Sequence, residues 1–253
     1  METLYKLLLV AEFVLAFFTF FTLYFIKAPY GRHRREGWGP EISCRAGWMI
    51  MELPAVVVIF CCFWLGNKQL PLVLFFLLWE LHYLQRTFVF PLLMKVQRKT
   101  MPLLIVFFSI IFNLMNGFIN GYSLFLMENR YLDLAATAWL YDPRFIFGTA
   151  LFLLGFGINL HSDHVLRNLR KQGELDYKIP HAGLHRYVAA PNYLGEVIEW
   201  SGWALLTWSL PGLAFALFTI ANLLPRAYAH LLWYRMKFAD YPGERKALIP
   251  FVY

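Results

Sequence analysis

Acidic, basic and amide side chains stand in this chain at positions whose surroundings are almost wholly apolar. They include Glu12, Glu52, Glu80, His82, Tyr83 and Arg86, then Asn113, Asn116 and Asn120, and finally Asn159, Asp163, Glu196, Glu199 and His230. An ionisable group inside a bilayer costs roughly 2.5–3.5 kcal/mol or more, so each is a functional candidate by default. Helical spacing sorts them into faces. Tyr83, Arg86, Thr87 and Phe90 follow i, i+3, i+4, i+7. Asn159, Asp163 and Arg167 are successive i+4 neighbours and run into the cluster of Arg167, Arg170 and Lys171. Asn192, Glu196, Trp200 and Trp203 share a face, with Glu199 beside it, and Arg226, His230 and Tyr234 form another stripe. Trp48 lies four residues before Glu52. Three stripes in the last three apolar runs predict a polar cavity opening at one membrane face. Interhelical hydrogen bonding accounts for a single Asn or Ser in a membrane bundle, but less well for so many acids, arginines and histidines in register. Glu12, alone in the outer half of the first run, reads as structural, and Glu80 as paired with a neighbour.

The elements that position these residues are membrane helices. Hydrophobic residues make up 59% of the 253, charged residues 15% and aromatics 19%. Soluble domains hold roughly 45–50% apolar and about 25% charged residues, so a soluble fold, disorder and a coiled coil are excluded. Apolar runs that read as bilayer spans lie at 4–26, 46–65, 70–94, 102–127, 145–161, 193–208 and 213–233, the sixth of them short. The first is too long for a signal peptide and meets Lys27, Arg32, Arg34 and Arg35, a stop-transfer pattern. The expected fold is an all-α integral membrane protein of seven transmembrane helices, a single membrane domain over 1–253. A re-entrant last hairpin, giving six spans, is the weaker alternative. With the N-terminus outside and the C-terminus cytosolic, 18 of the 23 Lys and Arg fall on the inside face. The net charge of +7 thus reads as topology rather than nucleic-acid binding. Cys44, Cys61 and Cys62 make no CxxC, so neither a disulfide framework nor a zinc site is expected.

Two local patterns carry little. Gly155 and Gly157 have the start of a dinucleotide fingerprint, but no strand precedes them and a Rossmann loop cannot sit in a membrane helix; they read as packing glycines. His161, His164, His181 and His185 resemble the histidine boxes of membrane di-iron enzymes only poorly, because the chain has seven histidines and no adjacent pair. No metal site is expected.

Longer motifs closely resemble the steroid 5-alpha-reductase family, its type 2 steroid enzymes above all. They are the segment 157–163 continuing through Arg167, Arg170, Lys171 and Glu174, the segment 192–200, Glu52 to Pro54, His82 and Tyr83 with 86–89, and the stretches 240–242 and 245–251. The resemblance runs from about Lys27 to Tyr253. It implies a seven-helix enzyme that uses NADPH to reduce the double bond of 3-oxo-Δ4-steroids. By resemblance, Glu52 and Tyr83 are catalytic and engage the steroid 3-keto oxygen, with Trp48 and Trp200 beside them in the substrate pocket. Asn159, Asp163, Arg170, Tyr177, Asn192, Glu196, Arg226, His230 and Tyr234 match the NADPH site, joined by Tyr30 and Arg98. Lys178 stands where type 2 enzymes carry Arg, which keeps a charge and loses a bidentate fork. Residues 1–127 are then expected to form mainly the steroid pocket, and 128–253 mainly the NADPH site.

Hydride addition to an enone puts negative charge on the carbonyl oxygen. A Tyr hydroxyl and a protonated Glu aimed at that oxygen make an oxyanion hole. The proton for carbon 4 comes from Tyr83 or water. A steroid would enter from lipid between the outer parts of the first four spans. The implied partners are a steroid and the bilayer, with no nucleic acid and no obligatory protein. The membrane is the endoplasmic reticulum in a eukaryote and the inner membrane in a bacterium. An enoyl reductase for another sterol or lipid enone is the nearest alternative. Residues 183–195 also resemble S-adenosylmethionine-dependent membrane methyltransferases, which typically read Arg-His-Pro where this chain has Ala189, Ala190 and Pro191. A non-enzymatic lipid-binding role would leave Glu52, Tyr83 and the three stripes unexplained.

Overall fold

The computed structural model describes residues 1–27, 33, 37–95, 99–127, 136–170, 174 and 176–253. Helix α1 spans Glu2–Phe25, α2 Cys44–Leu65 and α3 Leu70–Leu84. A π-helical turn, Gln85–Val89, joins α3 to the short α4, Phe90–Leu93. Then come α5 Leu103–Gly121 with a second π-turn at Tyr122–Leu126, α6 Pro143–Asn168, α7 Pro191–Thr207 and α8 Leu210–Lys237. Two short strands, β1 Glu41–Ser43 and β2 Thr100–Pro102, pair antiparallel. Among the described residues, six helical segments are long and apolar enough to cross a membrane: Glu2–Phe25, Cys44–Leu65, Leu70–Leu93, Leu103–Leu126, Pro143–Asn168 and Leu210–Lys237. Their outer faces expose residues such as Phe17, Phe60, Phe107 and Phe147. The chain is an all-α, multi-pass integral membrane protein.

Local chemistry sets the helix ends. Pro71, Pro143, Pro191 and Pro211 sit in first turns, where a missing N–H costs nothing. Asp142 caps α6 by accepting from the Arg144 N–H at 2.8 Å. Helix α7 stops where Trp208 turns left-handed at φ 43°, and Ser209 Oγ accepts from the Gly212 N–H to start α8 at once. The turn is thus tighter than the apolar runs suggest, with α8 beginning three residues earlier and extending four further.

Glycines on two facing helices decide the central packing. Gly148 and Gly155 on α6, and Gly195 and Gly202 on α7, each recur at seven residues. A Cβ on Gly195 would lie 2.6 Å from the Asn159 nitrogen, and one on Gly202 would lie 2.5 Å from that of Phe152. Backbone therefore meets backbone, the small-residue packing that membrane helices favour. Gly155 takes part as expected. Gly157 does not, because nothing lies within 4 Å of its would-be Cβ. An aromatic core of Phe75, Trp79, Phe152, Trp200, Trp203 and Phe215 fills the space among α3, α6, α7 and α8. Its indoles are anchored, Trp79 donating to the Ala55 carbonyl at 3.1 Å and Trp203 to Asn120 Oδ1 at 3.0 Å.

At the basic end the segment 245–253 folds back on the loop before α7. The Ala189 N–H donates to the Lys246 carbonyl at 2.8 Å, and that of Lys246 to the Tyr187 carbonyl at 2.9 Å. The buried Arg245 reaches the Pro180 carbonyl at 2.8 Å.

Candidate active site

Arg86 lies at the centre of the buried polar groups. It sits in the π-turn before Pro91, which has no N–H to give the Thr87 carbonyl, so the hydrogen-bond ladder shifts. Its guanidinium donates to Asp163 Oδ2 at 3.0 Å and to Glu196 Oε1 at 2.9 Å. Trp48 and Phe90 flank it, with ring centres 4.8 and 4.6 Å away. Asn159 Nδ2 donates to the same Glu196 oxygen at 3.0 Å and to the Asn192 carbonyl at 3.1 Å, and Asn192 Nδ2 reaches Asp163 Oδ1 at 3.3 Å. The stripes of α6 and α7 therefore close on a cation from the third span. They meet because the glycine contact brings the two backbones together.

Beside this network a second buried pair forms. His82 Nδ1 lies 2.8 Å from Glu199 Oε1. The His82 ring sets its edge against Trp200 at 4.7 Å and Tyr83 at 5.0 Å. Tyr83 stacks on Trp79 at 4.9 Å and packs against Trp200 at 5.7 Å. Its hydroxyl is within electrostatic range of the Glu52, Glu12, Glu196 and Glu199 carboxyls. Glu52 is held by Asn113, whose Nδ2 donates to the Met51 carbonyl at 2.6 Å and to Glu52 Oε2 at 3.3 Å. Pro54 follows within α2 and leaves that stretch of helix short of an N–H. The predicted catalytic pair and both predicted substrate-pocket tryptophans thus lie in one neighbourhood, Tyr83 and Trp200 buried and Glu52 and Trp48 half-buried.

The remaining predicted cofactor residues occupy the basic end. Arg170 stacks over Tyr177 at 4.9 Å, and Lys99 approaches the same ring, its Nζ donating to the Tyr177 hydroxyl at 3.4 Å. Trp233 meets Tyr177 edge-on at 4.8 Å. Arg226 donates to the Tyr193 hydroxyl at 3.1 Å, and His230 lies between Tyr193 at 5.2 Å and His33 at 5.5 Å. Tyr234 is set deeper, stacked on Tyr241 at 5.1 Å in the core that supports this end. Tyr30 and Arg98 lie outside the described residues. Lys178 pairs with Glu174 at 2.6 Å on the surface.

This donor set fits a nicotinamide dinucleotide. Asn159, Asn192, Asp163 and Glu196 mix amide donors with carboxylate acceptors, as a carboxamide requires. Arg170 and Lys99 share an aromatic face, and no carboxylate pairs with either among the described residues, which suits phosphates. The alternative methyl-transfer motif fares differently. Ala189 and Ala190 are buried and bonded through their backbones to Lys246 and Ala247, with no room for the longer Arg and His side chains. The histidines go elsewhere, His164 to Arg167 and Asn168 and His181 to Arg245.

Sequence reasoning placed Arg86, His82 and Glu199 among the polar residues but gave none of them a role. The signal for Arg86 was present: it is an arginine well inside the third span, three positions after Tyr83.

Fold and buried polar centre together are those of an integral membrane enzyme. A family model described as 3-oxo-5-alpha-steroid 4-dehydrogenase matches residues 99–253. Steroid 5-alpha-reductase DET2 of Gossypium hirsutum is 41% identical over 100% of this chain and 98% of its own length. 3-oxo-5-alpha-steroid 4-dehydrogenase 1 of Bos taurus is 43% identical over 90% of this chain and 88% of its own. The type 2 enzyme of Sus scrofa is 44% identical over 84% and 82%. The chain belongs to the 3-oxo-5-alpha-steroid 4-dehydrogenase family and is an oxidoreductase.

Proposed function

We propose that this protein reduces the Δ4 double bond of 3-oxo-Δ4-steroids to 5α-dihydrosteroids, with NADPH as reductant. The observation that carries the reading is the placing of the half-buried Glu52 and the buried Tyr83 beside the Arg86 network, in a chain of this family. Glu52, protonated, and Tyr83 donate hydrogen bonds to the 3-keto oxygen and stabilise the charge that grows there. Asn113 holds Glu52 Oε2, so the donated proton belongs on Oε1. Trp48 and Trp200 line the steroid body and exclude water. NADPH, when bound, supplies the hydride to carbon 5. Asn159, Asp163, Asn192 and Glu196 orient its reactive end, while Arg170, Tyr177, Arg226 and His230, with Tyr30 and Arg98, hold the nucleotide. Tyr234 supports that wall from behind. Tyr83 or water protonates carbon 4.

The division of labour puts the steroid mainly within 1–127 and the cofactor mainly within 128–253. In the membrane we assign seven spans, N-terminus outside and C-terminus cytosolic. The 17 residues of α7 reach about 25 Å at 1.5 Å per residue, near the lower limit for a span. This orientation turns the Arg170 and Lys99 end toward cytosolic NADPH. The test incubates detergent-purified protein with NADPH and testosterone or progesterone. The expected result is the 5α-dihydro product. Absence of product from several 3-oxo-Δ4-steroids redirects the assignment to another enone.

A further inference from the structure

Glu12 lies on the buried stripe of α1 with Tyr5, Leu9 and Ala16. From the sequence it reads as structural, yet its carboxyl bonds to nothing among the described residues. It is 0% exposed, and among the described residues neither carboxyl oxygen has a hydrogen-bond partner. Buried polar groups are almost always bonded, and an unmet one calls for an explanation. A second such group stands opposite. Asn116 on α5 is also 0% exposed. Its Oδ1 accepts from Asn120 Nδ2 at 2.8 Å, but its own Nδ2 has no partner among the described residues.

Helix register brings the two to one level. The Tyr5 and Tyr122 rings are 5.6 Å apart, and Leu9 shares a cluster with Ile119. The helices are thus antiparallel, and seven residues beyond Tyr5 is Glu12, opposite the turn that holds Asn116. The pair make no bond to each other, so an occupant between them can use both. Glu12 is also within electrostatic range of the Tyr83 hydroxyl. On α5, Asn113 binds Glu52, and Asn116 lies one turn along, about 4.5 Å further by the helical rise. One helix therefore presents an amide to the reacting end of the pocket and another amide to Glu12 across the bundle. A protonated carboxyl donates one O–H beside the unmet amide N–H, so the two complement a carbonyl oxygen, and the second carboxyl oxygen can accept from a hydroxyl in the same place.

We propose that Glu12 and Asn116 form a second polar anchor, which binds the oxygen that a 3-oxo-Δ4-steroid carries at the end remote from its enone. The assignment rests on the reading of Glu52 and Tyr83 as the 3-keto anchor. It makes Glu12 a specificity residue, selecting steroids oxygenated on the far ring over those that are not.

The experiment compares androst-4-ene-3,17-dione with androst-4-en-3-one, which lacks the remote oxygen, using the full chain in detergent with NADPH. The wild type is expected to favour the dione in kcat/KM by about tenfold or more, chiefly through KM, because an anchor built for an oxygen is left unpaired by the analogue without one. Glu12→Leu and Asn116→Leu should each bring the ratio toward one, and Glu12→Gln, which keeps a hydrogen-bonding group, should retain most of it. Thermal unfolding of each variant is recorded in parallel. A wild type that reduces both steroids equally well overturns the anchor and leaves Glu52 and Tyr83 standing. A wild type that reduces neither overturns that reading and the anchor with it. A folded Glu12→Leu that keeps the full preference assigns the two side chains to a buried water and overturns the proposal. If Glu12→Leu does not fold, the wild-type ratio and Glu12→Gln decide.

Discussion

Polarity is buried on both sides of this bundle, but in opposite states. Between α6 and α7, Arg86, Asp163, Asn159, Asn192 and Glu196 satisfy one another in a closed network. Between α1 and α5, Glu12 and Asn116 are just as deeply buried and their outward atoms bond to nothing among the described residues. A satisfied network fixes a frame, and an unsatisfied one waits for a partner. The difference separates residues held in place by one another, on which we place the cofactor, from residues that no described protein group holds.

The largest effect should come from breaking the frame. Arg86→Leu leaves Asp163 and Glu196 buried without their cation, a loss on the order of 3–5 kcal/mol. Thermal unfolding in detergent should show a large drop, together with loss of turnover. Glu52→Gln and Tyr83→Phe act on the chemistry instead. Each is expected to lower kcat by about 10²-fold or more, as for loss of an oxyanion donor, while NADPH still raises the melting temperature. Near-normal rates in both would end the assignment of that pair. Gly195→Ala drives a methyl into the α6 backbone and should cost roughly 1–3 kcal/mol, read as a melting shift. The equivalent change at Gly157, where space is open, should leave the melting temperature nearly unaltered. Smallest is Lys178→Ala. Its surface pair with Glu174 contributes about 0.3–0.5 kcal/mol at most, so any larger change would appear in the KM for NADPH rather than in stability.

Much of the frame was legible because helical spacing is a strong signal. The stripes of Asn159 with Asp163 and of Asn192 with Glu196 were readable as faces, and those faces do meet. Spacing cannot name the partner of a face, however. That Arg86 would close both stripes depends on a π-turn and on Pro91, which shift the third span locally. The setting of Glu12 was hidden for a related reason. A lone acid in an apolar run has no periodic companion, and only packing of α1 against α8 and α5 reveals that it faces inward. Trp208 was equally opaque, since a left-handed residue of that size is dictated by the α7–α8 junction rather than by its own preference. Gly155 and Gly157 look alike in sequence, and only the path of α7 distinguishes them.

The backbone bonds from 187–190 to 246–247 impose an order in time. The loop that starts α7 precedes its partner by two helices, α7 and α8, so it stays incompletely bonded until α8 has been synthesised. Fastening of that loop is therefore a late event in assembly, later than the glycine contact between α6 and α7. A nascent chain halted before residue 245 would already hold every member of its charged centre, from Arg86 to Glu196, yet would lack the segment that fastens the loop leading into α7.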